Sequence, residues 1–348
     1  MTPFILFVLV TSLGLGTTLT FASSHWFLAW MGIEINTLAI IPLMTQNHNP
    51  RAVEAATKYF FAQATASATL LFASLSNAFI VGQWDILLTS HPFPSSLVTL
   101  ALAMKIGLAP LHSWMPEVMQ GLTLPIGLVL STWQKFAPFC LMIQIQPSNT
   151  SILTLLGALS IAVGGWGGLN QVQLRKILAY SSIAHLGWMA LIMPLFPPLA
   201  LLTLYTYFMM TISLFFSLML ARALNINSLS LACTKTPALT AVFPLILMSM
   251  GGLPPLTGFL PKWIILQELT KQGMISVAAF AAFSSLLSLF FYLRLSYAMT
   301  LTMPPNIPTG VLPWRLSPAM NTLPLAVTTL SAISLLPLAP PILILFSF

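Results

Sequence analysis

A chain of 348 residues that is 57% hydrophobic and only 5% charged is not built for water, because a soluble domain carries roughly a quarter charged residues. Its apolar runs are continuous rather than alternating, which excludes a β-barrel and leaves an all-α polytopic membrane protein. The net charge of +7 rests on only 12 basic residues. They stand singly at helix ends or inside spans, so no basic patch for nucleic acid forms.

At roughly 30 residues per span and loop, the length holds about 11 transmembrane helices. The apolar runs place them at 3–21, 25–45, 58–80, 95–121, 123–144, 152–169, 174–193, 199–221, 238–271, 275–298 and 323–346. The chain opens directly on the run from Pro3 to Thr20, without an Arg-rich transit segment or a small-residue cleavage site. That first span is therefore expected to be retained. Eleven spans put the termini on opposite sides. The loops after even-numbered spans hold Arg51, Lys58, Arg175, Lys176, Arg222, Lys235, Arg294 and Arg315, and the opposite loops hold only Lys271. This bias predicts an N-terminus in the cytoplasm-equivalent compartment and a C-terminus across the membrane.

The three remaining basic residues, Lys105, Lys135 and Lys262, fit no loop. Lys105 ends an apolar run and is followed by Gly107, Pro110 and Pro116 within the fourth span. The ninth span carries Gly251-Gly252-Leu253-Pro254-Pro255, then Gly258 and Pro261, before Lys262. Both spans are too long for one crossing, and proline inside a helix removes a donor and clashes with the preceding turn. Both are predicted to be discontinuous helices, whose freed backbone needs protein or cavity water as partner. Because the two broken spans are five apart, the chain reads as a single membrane domain, 1–348, with two five-helix repeats, 1–145 and 150–298. An extra C-terminal helix follows at 323–346. An odd number of spans per repeat forces the second to be inverted, an arrangement common in transporters.

Glu34, Lys105, Lys135 and His185 fall mid-span, and Lys262 follows a break. A charge at the bilayer centre costs roughly 2.5–3.5 kcal/mol on insertion scales, so such groups point to an ion path. Together they form a candidate polar line near the midplane. Glu34 and Lys105 are natural partners: a close carboxylate holds the ammonium protonated, and a distant one releases it. The alternative is a static buried ion pair that fixes helix packing. Lys135 reads otherwise as a snorkelling lysine, Lys262 as an interfacial one, and His185 as a satisfied core histidine. His112 and Glu117, near the end of the fourth span, line a proton entry or cap a helix. Asp85 follows Trp84 in a loop and reads as solvated, while Arg51 and Glu54 read as a loop pair. Ser160, Tyr180, Ser181, Ser182, Thr203, Tyr205, Thr206 and Tyr207 serve a water chain or interhelical packing equally well. Cys140 and Cys233 have no metal or disulfide spacing and read as inert buried thiols. No nucleotide loop, metal spacing, nucleophile triad or haem motif occurs, so redox chemistry is expected in partner chains.

Three motifs together resemble a known family. Lys105-Ile-Gly-Leu-Ala-Pro-Leu-His-Ser-Trp-Met-Pro-Glu117 resembles the central signature of the antiporter-like proton-translocating subunits of respiratory complex I. Gly251-Gly-Leu-Pro-Pro-Leu-Thr-Gly-Phe-Leu-Pro-Lys-Trp263 resembles the second signature. The stretch from Gly167 to His185 is similar to the same family, and the likeness covers essentially the whole chain. The resemblance implies a 14-span ancestor that has lost three spans, and an inverted repeat. It implies Glu34 and Lys105 as the modulating pair, Lys135 as the connecting lysine and Lys262 as the distal lysine. Lysine rather than glutamate at 262 is similar to the subunit-2 branch. By this resemblance the protein sits in the mitochondrial inner membrane with its N-terminus in the matrix and its C-terminus in the intermembrane space. It moves protons between them, driven by electron transfer elsewhere. Membrane-arm subunits on both flanks, accessory subunits and phospholipids are the implied partners. NADH, FMN, iron-sulfur clusters and ubiquinone belong to the whole complex and not to this chain. The rival functions are a free-standing cation/proton antiporter and a structural subunit whose charges are static.

Overall fold

The computed structural model describes residues 2–46, 48–89, 91–145, 150–232, 237–300 and 322–346. Cys233, Lys235 and Arg315 lie outside the described residues. The chain divides into two compact units, Met1–Ser160 and Ile161–Phe348. Among the described residues the fold is helical, without named strands.

In the first unit, α1 (Pro3–Ala22) packs along α2 (Trp26–Met44), and α3 (Pro50–Val81) packs against α4 (Pro92–Ile106) and α5 (Trp114–Gly121). Then come α6 (Leu124–Ser131), α7 (Trp133–Ile145) and α8 (Thr150–Gly167), the last crossing into the second unit. Helices α1, α3, α4 and α6 begin with proline in their first two positions, where its missing N–H is not needed and its fixed φ suits the helix. Histidine caps α2 and also α4: the Nδ1 of His25 accepts from Phe27 N, and that of His91 from Phe93 N.

The second unit holds α9 (Leu174–Ile192), α10 (Pro197–Ala221), α11 (Ile226–Ala232), α12 (Pro237–Gly251), α13 (Phe259–Lys271) and α14 (Ile275–Thr300). It ends with α15 (Leu323–Ser334) and α16 (Ala339–Phe346), separated by a short 3-10 turn. Here α12 and α14 pack together, and α10 packs against α15.

Seven stretches among the described residues are long and apolar enough to cross a bilayer, with α6 and α7 counted together as Leu124–Ile145. The final bent pair, at 71°, makes an eighth. The expected fourth and ninth spans do not qualify as single helices because Gly/Pro segments divide them into α4 and α5, and α12 and α13. The expected seventh, α9, carries Arg175, Lys176 and His185 in 19 residues.

Two local expectations change. The third helix starts at Pro50 rather than 58, so Arg51, Glu54 and Lys58 are helical. Glu54 pairs with Lys58 one turn on, at 2.8 Å, in place of a loop pair with Arg51. The fifth span is broken at Thr132.

Each unit also ties its loops by one isolated antiparallel bridge, His25 with Asp85 and Gln173 with Asn225. In the first, Trp26 N donates to Trp84 O and Ile86 N to Ser24 O. In the second, Leu174 N donates to Leu224 O and Ile226 N to Val172 O.

Candidate functional site

In the first unit the site forms where helices stop. Helix α4 ends because Gly107 takes a left-handed φ of 88°, a conformation that favours glycine, and the N–H groups of Gly107 and Leu108 both return to Ala103 O at 2.9 Å. Pro110 follows, and α5 begins only at Trp114, whose Nε1 donates to Met104 O at 3.1 Å. Lys105 therefore occupies the last turn of α4, where the helix dipole favours a cation. Its side chain is 2% exposed.

Glu34 reaches it from α2. Its Oε1 lies 3.9 Å from Lys105 Nζ, while Oε2 accepts from Thr37 Oγ1 at 3.2 Å. A direct ammonium–carboxylate hydrogen bond would be about 2.7–2.9 Å. The pair thus feels its mutual charge without being locked by a bond, and neither Oε1 nor Nζ has a hydrogen-bond partner among the described residues. Glu34 remains 22% exposed at its side chain. One end of the pair faces inward and the other toward an accessible edge.

Lys135 stands in the first turn of α7, just after the break at Thr132, and is 3% exposed. Thr132 has φ −114° and ψ −72°, and its Oγ1 donates to Leu128 O at 2.7 Å. Lys105 and Lys135 line one small cavity of about 20 Å³, together with Asn36, Gln63, Tyr59 and Gln134. That volume is sufficient for about one water. Gln63 Nε2 also donates to Lys105 O at 3.4 Å, and Gln134 Nε2 to Asn36 O at 3.2 Å.

In the second unit, α12 ends at Gly252, whose φ is 82°. Lys262 leaves the first turn of α13 and turns back, so that Nζ donates to Gly251 O at 2.8 Å and to Met250 O at 3.4 Å. An ammonium thus satisfies the terminal carbonyls of a truncated helix, again at the negative end of a dipole. His185 is buried in α9, with Tyr207 at a ring distance of 5.7 Å. His185, Thr203, Thr206 and Lys262 line a second cavity of about 20 Å³.

The structure thus joins Glu34, Lys105 and Lys135 in the first unit, and His185 and Lys262 in the second. His112 and Glu117 lie apart from the Lys105–Lys135 cavity. Glu117 is in the first turn of α5, half exposed, 2.8 Å from Lys58, which also holds Glu54. The half-buried His112 places Nδ1 3.3 Å from Pro110 O. The hydroxyls of Ser181, Thr203 and Thr206 donate to carbonyls of their own helices, which is the usual use of such side chains in apolar helices. The sequence reading overlooked Asn36, Gln63 and Gln134. Their signal is a polar side chain inside an apolar run, with Asn36 two residues after Glu34 and Gln134 immediately before Lys135.

With this geometry in place, known proteins show the same plan. Residues 23–288 match the family model described as NADH:quinone oxidoreductase/Mrp antiporter, and residues 289–343 match that of the NADH dehydrogenase subunit 2 C-terminus. The chain is 62% identical to NADH-ubiquinone oxidoreductase chain 2 of Gadus morhua and 60% identical to that of Tetraodon nigroviridis, each over 100% of both chains. Among solved structures it superposes on a chain of respiratory complex I from Thermus thermophilus with a TM-score of 0.81 at 28% identity, covering 97% of this chain and 80% of that one. A chain of the Mrp complex from Dietzia shares the fold, with a TM-score of 0.81 at 18% identity and coverage of 97% and 76%. Signatures, broken helices and full-length likeness agree: this chain belongs to the NADH-ubiquinone oxidoreductase chain 2 family.

Proposed function

We propose that this chain is a core membrane-arm subunit of respiratory complex I and moves protons from the matrix to the intermembrane space. Glu34, Lys105 and Lys135 carry the proton in the first unit, and Lys262 with His185 in the second. The observation that carries this reading is the Glu34–Lys105 pair, 3.9 Å apart and unbonded, beside a cavity that Lys135 shares. Small movement of α2 or α4 changes the charge felt by Lys105, and so its hold on a proton. Static packing would be better served by a closed hydrogen bond. The energy comes from NADH-to-ubiquinone electron transfer in other subunits, and NADH, FMN, iron-sulfur clusters and ubiquinone are bound there.

The chain sits in the mitochondrial inner membrane. On this reading it crosses eleven times. The seven long stretches, the interrupted pairs α4/α5 and α12/α13, helix α9 and the bent C-terminal pair make that number. The two inverted repeats are supported by a paired feature: each unit has one helix broken at a left-handed glycine and one two-bond bridge before its second helix. The N-terminus faces the matrix, as the loop charges favour. Other membrane-arm subunits, accessory subunits and phospholipids cover the apolar flanks, such as the exposed Phe79, Phe283 and Trp166. His112 and Glu117 belong to the proton entry on the matrix side.

The test is Lys105→Met in the assembled complex in vesicles, with protons moved counted per NADH oxidised. A lower ratio in an intact complex is expected. An unchanged ratio makes the charges structural and ends the pumping assignment.

A further inference from the structure

Asn36 is a packed polar side chain of α2 in the first unit that the sequence reading did not use. It is 2% exposed, and neither its Oδ1 nor its Nδ2 has a hydrogen-bond partner among the described residues. A buried amide left so is unfavourable unless water or an ion completes it. Its neighbours leave it little freedom. A methyl group added at Gly16 would collide with Asn36 Oδ1, and one at Gly32 would lie 2.8 Å from Gly16 O. The close crossing of α1 and α2 at these glycines therefore pins the amide from behind. Asn36 also lines the cavity that Lys105 and Lys135 share. Ile33, Asn36 and Thr37 line that cavity from one face of α2, as their spacing of three and four dictates. The backbone carbonyl of Asn36 accepts from Gln134, the residue next to Lys135. Lys105 Nζ also has no hydrogen-bond partner among the described residues.

A site of about 20 Å³ lined by Asn36, Lys105 and Lys135 has the size and polar neighbours that one ordered water needs. We propose that Asn36 is a positioning residue for the proton path: it holds the water through which a proton passes between Lys105 and Lys135. In that step the Lys105 N–H bond breaks as an O–H bond forms on the water, and the water gives its other proton to the neutral amine of Lys135. Lys105 ends neutral, Lys135 ends charged, and the water is restored. The amide keeps its own protons and fixes the water's orientation. This inference rests on the proton-path reading above.

The experiment compares Asn36→Leu with Asn36→Ser in the assembled complex in vesicles, alongside Lys105→Met and Lys135→Met. Leucine keeps the branched shape and loses the hydrogen bonds, while serine keeps a hydroxyl and leaves room for a second water. A packing role ranks leucine above serine; a water-holding role ranks serine above leucine. The expected result is that Asn36→Leu lowers the protons moved per NADH to the level of Lys135→Met, and that the loss in Asn36→Ser is no more than half as large. A full ratio in Asn36→Leu, or a serine variant no better than leucine, overturns the proposal. If the leucine variant does not assemble, the solvent isotope effect on NADH oxidation by Asn36→Ser decides. A value above wild type is expected, because its water is held less firmly, and an unchanged value overturns the assignment. If Lys105→Met itself keeps the full ratio, the proton-path reading fails and this inference with it. If Lys105→Met lowers the ratio and both Asn36 variants do not, only the role of Asn36 falls.

Discussion

At the scale of single residues, the chain places the ammonium groups of its candidate site where helices end. Lys105 lies in the last turn of α4, and Lys262 reaches the last carbonyls of α12. Removing one partner of a buried ion pair leaves an uncompensated charge, an effect of about 3–5 kcal/mol in soluble proteins. Glu34→Gln should therefore reduce both assembly and proton movement. The double variant Glu34→Gln with Lys105→Met should recover assembly without recovering proton movement, as native gel yield and the proton-to-NADH ratio would show. A double variant that assembles no better than the single would mean that the two charges do not depend on one another. Gly252 makes a second case. A methyl group there would lie 3.0 Å from Lys262 Cδ and 3.1 Å from its Nζ, at a φ of 82°. Gly252→Ala should cost about 1–2 kcal/mol of strain and displace the ammonium, so thermal inactivation should come earlier and the proton ratio should fall.

At the scale of elements, the broken helices are held by different forces. Helix α5 is tied to α3 by Lys58, which bonds Glu54 and Glu117 at 2.8 Å each. These side chains are 42–63% exposed, so water screens the pairs and they add little to stability. Lys58→Gln should thus leave thermal inactivation nearly unchanged and keep the proton ratio in vesicle pumping. A large loss of pumping would mean that the proton entry at Glu117 depends on its ion pair with Lys58. The breaks themselves were legible from Gly107, Pro110 and Gly251 to Pro255, because no helix continues through a left-handed glycine followed by proline. The break at Thr132 was not. It lies in an apolar run with Pro138 six residues ahead, and no periodicity reports the turn that Thr132 takes at φ −114° and ψ −72°.

At the scale of the whole molecule, orientation and autonomy are the open predictions. If the N-terminus is in the matrix, the loop carrying the exposed Asp85 faces the intermembrane space, and the loop carrying the exposed His48 faces the matrix. An impermeant thiol reagent applied to mitochondria with opened outer membranes should label Asp85→Cys and spare His48→Cys. The reverse pattern would invert the topology and the direction assigned to the path. The chain alone in vesicles should show no sodium–proton exchange, since the site of the first unit offers the single carboxylate Glu34 with two buried lysines, Lys105 and Lys135. Exchange by the isolated chain would favour the antiporter reading.

By itself the sequence determined the solvent, the helical class, the two interrupted helices and the residues able to bear charge in a membrane. These follow from composition and from local backbone chemistry, which act over a few residues. Only the tertiary structure decided who meets whom. It set Glu34 at 3.9 Å from Lys105, and gave Lys105 and Lys135 one cavity lined by Asn36 and Gln134. It turned Lys262 back onto the carbonyls of α12, and moved Glu117 away to Lys58. Such meetings depend on the close approach of helices far apart in the chain, and no local pattern of apolar and polar residues encodes that distance.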